Sequence, residues 1–420
     1  MSSHSDAFRA LRHRNFRLLW VGQLISMSGT MMQMAAVLWH VSLLVPPHLK
    51  GLSLGLVGLV RVVPIVTFSM VGGVTADTVD RRRLMLTAQS AMAVLAATLA
   101  TFTFLGLKTV WPIYILTGLS AAAGAFDAPA RQALLPTLVP REDLANALSL
   151  NLLLWHIASV IGPSLAGLAI ATVGLKWVYA FNAVSFLAVI AGLLLMRGVA
   201  GRPKGTGAGI SLAAALDGLK FVFSAPLLRS TMLLDFFATF FASATALLPI
   251  FAQDILKVGA HGYGLLYAAP SVGALLAAVA LARWVDHIDR RGQWLVWVVG
   301  GFGLATVVFG VSKSFWLTFA CLGVTGMTDT VSAVFRNLIR QLATPDHLRG
   351  RMTSVSQVFF MGGPQLGELE AGVVANLWGA VFSVVSGGIG CLVATGWIAA
   401  RTPVLWNYRK DTAPHVAGGG

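Results

Sequence analysis

Twelve apolar stretches, separated by short polar gaps, run through almost the whole of this 420-residue sequence. A helix of about 20 apolar residues crosses a hydrocarbon core of ~30 Å, and each stretch is long enough to do so. The stretches lie at residues 16–43, 52–76, 84–106, 111–130, 146–172, 176–196, 230–250, 261–283, 293–311, 315–337, 352–375 and 378–400. This pattern predicts an all-α polytopic membrane protein with twelve transmembrane helices.

Composition excludes a soluble fold and several kinds of site. Hydrophobic residues make up 56% of the chain and charged residues only 11%, which is more apolar surface than a soluble protein buries. The two cysteines, Cys321 and Cys391, lie inside apolar stretches, so the sequence predicts no disulfide framework and no metal site. The Gly-x-x-x-x-Gly-Lys-Ser/Thr pattern of ATP-binding loops does not occur. We therefore expect no cofactor and no ATP-driven motor.

The basic residues indicate the orientation of the chain in the membrane. With twelve spans, 24 of the 30 lysines and arginines fall on the side that holds both termini. The other six are Lys50, Arg61, Lys108, Lys176, Lys257 and Lys313. Cytoplasmic loops carry this excess, so we expect cytoplasmic termini in a cell (inner) membrane. The net charge of +14 is then a topological signal with some attraction to membrane lipids, and it requires no nucleic-acid partner.

Short polar motifs recur in the two halves of the chain. Asp-x-x-Asp-Arg-Arg occurs at 77–82 and again at 286–291, 209 positions later. Three further pairs follow in the same order: Arg131 and Arg336, Pro140 and Pro345, and Gly162-Pro163 and Gly363-Pro364. This order predicts two six-helix halves, 1–196 and 230–420, joined by a cytoplasmic linker at 197–229 with an amphipathic helix. We expect a pseudo-twofold axis along the membrane normal, an arrangement known from secondary transporters.

The signature loop between the second and third apolar stretches resembles that of the major facilitator superfamily. Residues 72–83 read Gly-Gly-Val-Thr-Ala-Asp-Thr-Val-Asp-Arg-Arg-Arg, and Val79-Asp80 departs from the pattern of many members. The resemblance covers nearly the whole chain. It implies that Gly73 allows close helix packing, that Asp77 caps or pairs, and that Arg81 meets a carboxylate of another helix.

Further segments resemble the exporters of this superfamily. Residues 162–167, Gly-Pro-Ser-Leu-Ala-Gly, are similar to the helix 5 motif of proton-coupled exporters and contribute Gly162, Pro163 and Gly167. Ala158 and Ala166 stand where glycine is usual in that motif. Residues 8–17, 126–131 and 248–251 resemble the subgroup of twelve-helix drug and siderophore exporters.

Ionisable residues inside the apolar stretches are the candidates for proton coupling and substrate contact. A charge at the bilayer centre costs about 2.5–3.5 kcal/mol on insertion scales, so each one needs a partner or a cavity. The deep acids are Asp235, Asp329, Glu368 and Glu370, and Arg61 is interpreted as the only deep base. We take the acids as proton-coupling candidates, led by Glu368 and Asp235, and Arg61 as a cavity or substrate residue. The alternative is a static ion pair or a water-facing position.

A gate is predicted at the cytoplasmic ends of the helices. Asp127 lies about one turn from Arg131, at the depth expected for the signature loop. Carboxylate–guanidinium pairs there could latch the cytoplasmic side shut, although a substrate contact or a plain surface ion pair remains open. The residues assigned to the gate and the signature loops are Gly73, Asp77, Asp80, Arg81, Arg82, Asp127, Arg131, Asp286, Asp289 and Arg290.

These features favour a secondary active transporter that exports a small amphipathic molecule, drug-like or siderophore, in exchange for protons. An importer or a lipid flippase of the same fold is the alternative. A membrane-embedded enzyme is remote, because the sequence has no cluster of His, Asp and Glu near one membrane face. The expected partners are the small-molecule substrate, protons and lipids, and we expect a monomer. The sequence does not identify the substrate.

Overall fold

The computed structural model describes residues 8–198, 220, 223–242, 244–344 and 349–410. Twelve long helices lie in these ranges, and no strand occurs within them. The helices of the first half are α1 Arg14–Leu44, α2 Lys50–Thr78, α3 Arg81–Phe104, α4 Trp111–Leu134, α5 Leu144–Thr172 and α6 Leu175–Leu195. Those of the second half are α7 Pro226–Phe241, α8 Gly259–Trp284, α9 Arg291–Val311, α10 Phe315–Ala343, α11 Arg349–Trp378 and α12 Ala380–Arg401. The fold class predicted from the sequence is confirmed.

Helix α7 is discontinuous. After Phe241 the chain continues through a 3-10 turn at Ala244–Leu247, a helical turn at Leu248–Ile250 and a π turn at Phe251–Ile255. Pro249 has no amide hydrogen to donate within this stretch, which disfavours a regular helix. The apolar stretch predicted at 230–250 therefore corresponds to a broken span that extends to Ile255.

Ten of the helical segments are long and apolar enough to cross a membrane, judged over the residues that the structure describes. The two long helices outside this set are α4 and α11, which carry the candidate residues Asp127 and Glu368. Several apolar side chains in the middle of helices are largely exposed, such as Val94, Leu152 and Val393. Lipid can cover such surfaces, so the chain is a multi-pass membrane protein.

The chain divides into two compact units. Unit 1 consists of Met1–Val45, Val60–Gly209 and Gly259–Ala268, and unit 2 of Pro46–Leu59, Ile210–Val258 and Ala269–Gly420. Helix α2 thus begins in unit 2 and continues in unit 1, and α8 begins in unit 1 and continues in unit 2. The two units do not coincide with the two halves of the sequence at these two helices.

The helix pairings repeat between the halves. In the first half, α1 packs on α5 and α6, and α3 packs on α4 and α6. In the second half, α7 likewise packs on α11 and α12, and α9 packs on α10 and α12. Helices α2 and α8 start 209 positions apart, at Lys50 and Gly259, like the two signature loops. Helices α5 and α11 start 205 apart, like Arg131 and Arg336. We call residues at these separations repeat counterparts.

Both described chain ends are anchored on their own unit. In unit 1, Arg9 Nε donates to Asp143, and His13 Nε2 lies 2.6 Å from the same carboxylate. In unit 2, the Gly292 amide donates to the Tyr408 carbonyl (3.1 Å), and the Lys410 amide donates to the Asp289 carbonyl (2.8 Å). These contacts hold the chain ends against the starts of α5 and α9.

Candidate functional site: a buried charge cluster, a cavity and a latch

Helix α10 carries a stripe of charged residues and a serine along one side. Asp329, Ser332, Arg336 and Arg340 follow one another at spacings of three, four and four residues, which places them on one helix face. Arg336 and Arg340 are both buried, and the Arg336 side chain is only 1% exposed. A guanidinium so deeply enclosed needs carboxylates and hydrogen-bond acceptors around it.

Two carboxylates supply that environment from α7 and α10. Arg336 Nη2 lies 2.9 Å from Asp235 Oδ1 and 3.6 Å from Asp329 Oδ1, and Arg336 Nη1 donates to Ser332 Oγ (2.7 Å). Arg340 Nη1 lies 3.9 Å from Asp235 Oδ2. We call Asp235, Asp329, Arg336 and Arg340 the charge cluster. Two acids and two bases balance when all are ionised, and the tightest pair is Asp235 with Arg336.

A cavity of about 200 Å³ lies beside the charge cluster, entirely within unit 2. Its lining residues are Thr239, Ala242, Thr245, Pro270, Phe302, Thr306, Phe309, Leu322, Thr325, Gly326, Asp329 and Pro364. Pro270 and Pro364 stand inside α8 and α11, and Ala242 marks the break in α7. Interior prolines remove backbone hydrogen bonds and bend the helices that contain them. We call this space the unit 2 cavity.

The two acids of the cluster differ in access. Asp329 lines the unit 2 cavity and its side chain is 46% exposed, whereas the Asp235 side chain is 2% exposed and is not part of the lining. A proton or a ligand in the cavity therefore reaches Asp329 directly, while Asp235 stays enclosed with Arg336.

The charge cluster contains two basic residues that were not expected at depth from the sequence. Arg336 and Arg340 are both buried, whereas Arg61, interpreted from the sequence as the only deep base, is partly exposed. In the sequence, Arg336 lies at the end of the apolar stretch 315–337, and Arg340 follows that stretch. The spacing of the polar residues on α10 was the signal that would have placed both inside the site.

Glu368 and Glu370 lie apart from the unit 2 cavity lining. Glu368 is buried, and its carboxyl group packs close to Gly58 of α2, where an added Cβ would lie 2.8 Å from Glu368 Oε2. Glu370 is partly buried. The structure therefore places Glu368 at a contact between two helices.

Glycine-to-glycine crossings bring helices together at two matched places. In unit 2, an added Cβ on Gly55 of α2 would lie 3.0 Å from the Gly372 Cα of α11. In unit 1, an added Cβ on Gly264 of α8 would lie 2.6 Å from the Gly167 Cα of α5. Gly55 and Gly264 are 209 positions apart, and Gly167 and Gly372 are 205 apart. The two crossings are therefore repeat counterparts, and a side chain at either would force the helices apart.

These crossings also align the helix 5 motif with the second half. Gly162 packs on Met31 and Ser28 of α1, and the Pro163 carbonyl faces Gly264. At the separation of 205, the counterpart of Pro163 is Glu368. The pairs Gly162-Pro163 and Gly363-Pro364 therefore recur in the same order. However, Gly363-Pro364 lies about one helical turn before the position that the separation of 205 would give.

The predicted latch residues meet at the end of α4. Arg131 Nε lies 3.6 Å from Asp127 Oδ2, and Gln89 Nε2 of α3 donates to Asp127 Oδ1 (2.9 Å). Asp127 is buried, whereas Arg131 is partly exposed. Gln89 was not expected from the sequence, where nothing distinguishes it from other polar residues near a helix start.

The first signature loop joins α2 and α3. Asp80 caps α3 by accepting from the Arg83 amide (3.1 Å), Arg81 Nη1 donates to the Ala133 carbonyl (2.9 Å), and Arg82 Nη2 to the Leu194 carbonyl (3.1 Å). Gly72 packs directly on the Ala125 carbonyl, and the close packing expected at Gly73 stays a prediction. The side chain of Asp77 lies outside the described part of the structure.

The second signature loop is built differently. Arg290 is the exposed N-terminal flank of α9, and the Asp289 carbonyl accepts from the Arg291 and Lys410 amides. No side-chain cap is present at the start of α9, in contrast to Asp80 at the start of α3. The Asp286 side chain is outside the described residues. The two loops share a sequence motif but not a set of contacts.

Arg61 and Lys50 are the other two basic residues of note on α2. Arg61 Nη2 lies 3.7 Å from Met34 Sδ, and no ion pair joins Arg61 to a carboxylate that the structure describes. Its repeat counterpart is Pro270, a wall residue of the unit 2 cavity. Lys50 Nζ binds Asp254 Oδ2 (3.0 Å) and Gln253 Oε1 (3.1 Å) at the end of the broken span, a pair not expected from the sequence.

Similar proteins are found by sequence over almost the whole chain. Residues 5–415 match a family model described as a transmembrane secretion effector. The enterobactin exporters of Escherichia coli and Shigella boydii are 27% identical to the chain over 405 residues, which cover 96% of this chain and 95% of theirs.

Solved structures with similar folds are transporters. A POT family transporter in complex with 5-aminolevulinic acid matches with a TM-score of 0.75 at 11% identity, over 93% of this chain and 96% of its own. A bacterial homologue of the human lysosomal transporter Spinster matches with a TM-score of 0.72 at 13% identity, over 96% and 99%. At such identities the likeness concerns the fold alone.

Proposed function

The chain belongs to the transmembrane secretion effector family of the major facilitator superfamily, and we propose that it exports a small siderophore-like molecule in exchange for protons. The family match along the whole chain is the observation that carries this proposal. The similarity to enterobactin exporters favours export and a substrate of that kind. No feature of the described site favours an importer, a lipid flippase or a membrane enzyme.

We propose that transport follows alternating access by two six-helix halves, 1–196 and 230–420, in a monomer. The linker at 197–229 would then lie on the cytoplasmic side with both termini. Residues 199–219, 221 and 222, which include the predicted amphipathic helix, are outside the described ranges. The repeated helix pairings and the two matched glycine crossings support an internal duplication of this kind.

Asp329 is our candidate for the proton carrier. It faces the unit 2 cavity, and its contact with Arg336 (3.6 Å) is looser than that of Asp235 (2.9 Å). Protonation of Asp329 therefore breaks only its own, weaker ion pair with Arg336, and Arg336 stays paired with Asp235. A proton that moves inward gains ~2.3 kcal/mol per 100 mV of membrane potential, which can drive export of a neutral substrate.

The other acids receive different roles. Asp235 keeps Arg336 in place, because it is enclosed and makes the shortest pair. Glu368 supports the contact between α2 and α11 at Gly58, and Glu370 ranks below Asp329 because it does not line the cavity. The pair Asp127 and Arg131, together with the signature loops, forms the cytoplasmic latch. Asp77, Asp286, Asp289 and Arg290 belong to this latch proposal on sequence grounds.

Vesicle transport tests both the direction and the coupling. Inside-out membrane vesicles with an imposed pH gradient should accumulate enterobactin, the first substrate of a panel. Asp329→Asn should reduce pH-driven accumulation at least ~10-fold, because the amide cannot carry the proton. Exchange of labelled for unlabelled substrate without a gradient should survive. Glu368→Gln is the matched control and should keep most of the pH-driven accumulation.

The same assay separates the alternatives. Parental pH-driven accumulation in Asp329→Asn would remove Asp329 as the carrier, and a loss in Glu368→Gln alone would transfer the role to Glu368. Accumulation only in right-side-out vesicles would identify an importer. Movement of a fluorescent lipid between leaflets, without accumulation of any panel compound, would identify a flippase.

A further inference from the structure

Most of the polar groups that line the unit 2 cavity act as hydrogen-bond acceptors, since three of its four threonines already donate within their own helices. Thr239 Oγ1 donates to the Asp235 carbonyl (2.8 Å), Thr306 Oγ1 to the Phe302 carbonyl (2.9 Å), and Thr325 Oγ1 to the Leu322 carbonyl (2.7 Å). Each hydroxyl hydrogen is thereby used within its own helix, and the oxygen lone pairs remain available. Apart from the Thr245 hydroxyl, the lining offers acceptors, and it therefore favours a ligand that brings the donors.

Asp329 adds the strongest acceptor of the lining. Its contact with Arg336 Nη2 is 3.6 Å long, beyond the usual length of an N–H···O hydrogen bond, and its side chain is exposed to the cavity. An ionised carboxylate has room for several hydrogen bonds. Because Asp329 contacts Arg336 and the two arginines of the charge cluster balance its two acids, the site favours neutral donors over a full cation.

The remaining walls fit the face of a ring. Phe302, Phe309 and Leu322 provide apolar surfaces, and Pro270 and Pro364 add two more. An engineered apolar cavity of about 150 Å³ accommodates benzene in another protein. The unit 2 cavity, at about 200 Å³, therefore has room for one six-membered ring with one or two small substituents.

From this lining we infer that the unit 2 cavity is a subsite for a neutral hydroxyl-bearing ring, held by hydrogen bonds from its hydroxyls to Asp329 and Thr325. The inference rests on the proposed transport function for its biological meaning and identifies the part of the substrate that unit 2 binds. Asp329 then accepts either a hydroxyl hydrogen bond or a proton, so that substrate and proton use the same carboxylate.

Two matched probes test this subsite on the purified full-length protein in detergent. Catechol carries two hydroxyl donors, whereas 1,2-dimethoxybenzene presents the same ring without donors. Isothermal titration calorimetry should show that catechol binds at least ~10-fold more tightly than 1,2-dimethoxybenzene, because only catechol can donate hydrogen bonds to the Asp329 carboxylate. Asp329→Asn and Thr325→Val should each weaken catechol binding and leave the binding of 1,2-dimethoxybenzene nearly unchanged.

Controls make each outcome decisive. Thr98→Val changes a partly exposed threonine of α3 with the same kind of internal hydrogen bond, and it should bind catechol like the parent. Thr325→Val tests the subsite if Asp329→Asn fails to fold. Equal affinity for both probes, no binding of catechol, or tighter binding of benzylammonium would each overturn the inference. Failure of export in vesicles with intact catechol binding would refute the transport proposal and leave the subsite.

Discussion

Arg131 and Arg336 are repeat counterparts, yet they lie in very different surroundings. Arg131, at the end of α4, is partly exposed and pairs with Asp127 one turn earlier at 3.6 Å. Arg336, on α10, is enclosed and is shared by Asp235 and Asp329. The counterpart of Asp127 is Ser332. This serine is uncharged, and its hydroxyl oxygen accepts a hydrogen bond from Arg336.

The difference shows that matched positions of the two halves can have different surroundings. Both halves keep the arginine, but in the second half the neighbouring acid is replaced by serine and the charge is balanced from α7 and from Asp329. The arginine of unit 1 therefore lies in a local, partly solvated pair, which suits a latch. The arginine of unit 2 lies next to a cavity, which suits coupling between proton and substrate.

Removal of the two arginines should give the largest contrast. Arg336→Ala leaves Asp235 enclosed with only Arg340 at 3.9 Å, and loss of one partner of a buried pair costs about 3–5 kcal/mol. Arg131→Ala should cost about 1 kcal/mol, because its ion pair is long and Asp127 keeps the hydrogen bond from Gln89. Thermal unfolding of the purified proteins measures both effects.

A double variant checks the cause of this contrast. Asp235→Asn with Arg336→Gln removes both charges, so it should be more stable than Arg336→Ala alone. If Arg131→Ala and Arg336→Ala destabilise the protein equally, the contrast between the two positions does not hold.

The sequence predicts the helices well because apolar length alone decides whether a segment spans a membrane. It predicts their ends poorly, because helices continue through charged residues once these find partners, as α10 does through Arg336 and Arg340. The pairing of Asp235 with Arg336 joins residues about a hundred positions apart, which no local pattern indicates. The unit 2 cavity depends on where α7 breaks and on how Pro270 and Pro364 come to line the same space, and these are properties of the packed helices.

The glycine crossings could in principle have been predicted from the sequence. The separations of 209 and 205 were already present in the charged motifs, and Gly55 with Gly264 and Gly167 with Gly372 obey the same separations. What the sequence lacks is the information that α2 crosses α11 and that α8 crosses α5. Glycines are frequent throughout the chain, so periodicity alone does not single out these four.

Alanine at the two crossings should have an intermediate effect and tests whether they are equivalent. Gly264→Ala places a Cβ 2.6 Å from the Gly167 Cα, and Gly55→Ala places one 2.9 Å from the Glu368 carbonyl oxygen. Overpacking of this kind costs about 1–3 kcal/mol, with the larger loss at Gly264, and thermal unfolding again measures it. Gly300→Ala, where an added Cβ meets nothing within 4 Å, is the matched control and should not destabilise. Losses confined to one crossing would refute their equivalence.

The smallest effect is expected at the latch itself. Asp127→Asn removes the charge that pairs with Arg131 but keeps an oxygen that can accept from Gln89. The loss should be about 1 kcal/mol, because the pair is long and Arg131 is partly solvated. A change of that size alters an opening equilibrium about fivefold. Hydrogen exchange of amides in 84–90 and 127–134 should therefore accelerate about fivefold, while amides of α9 keep their rates.

Arg131→Ala should produce the same acceleration as Asp127→Asn. The double variant should add little, since both changes break the same ion pair. Additive acceleration would mean that Asp127 and Arg131 act separately, and the latch in unit 1 would then have to be sought among the signature-loop residues.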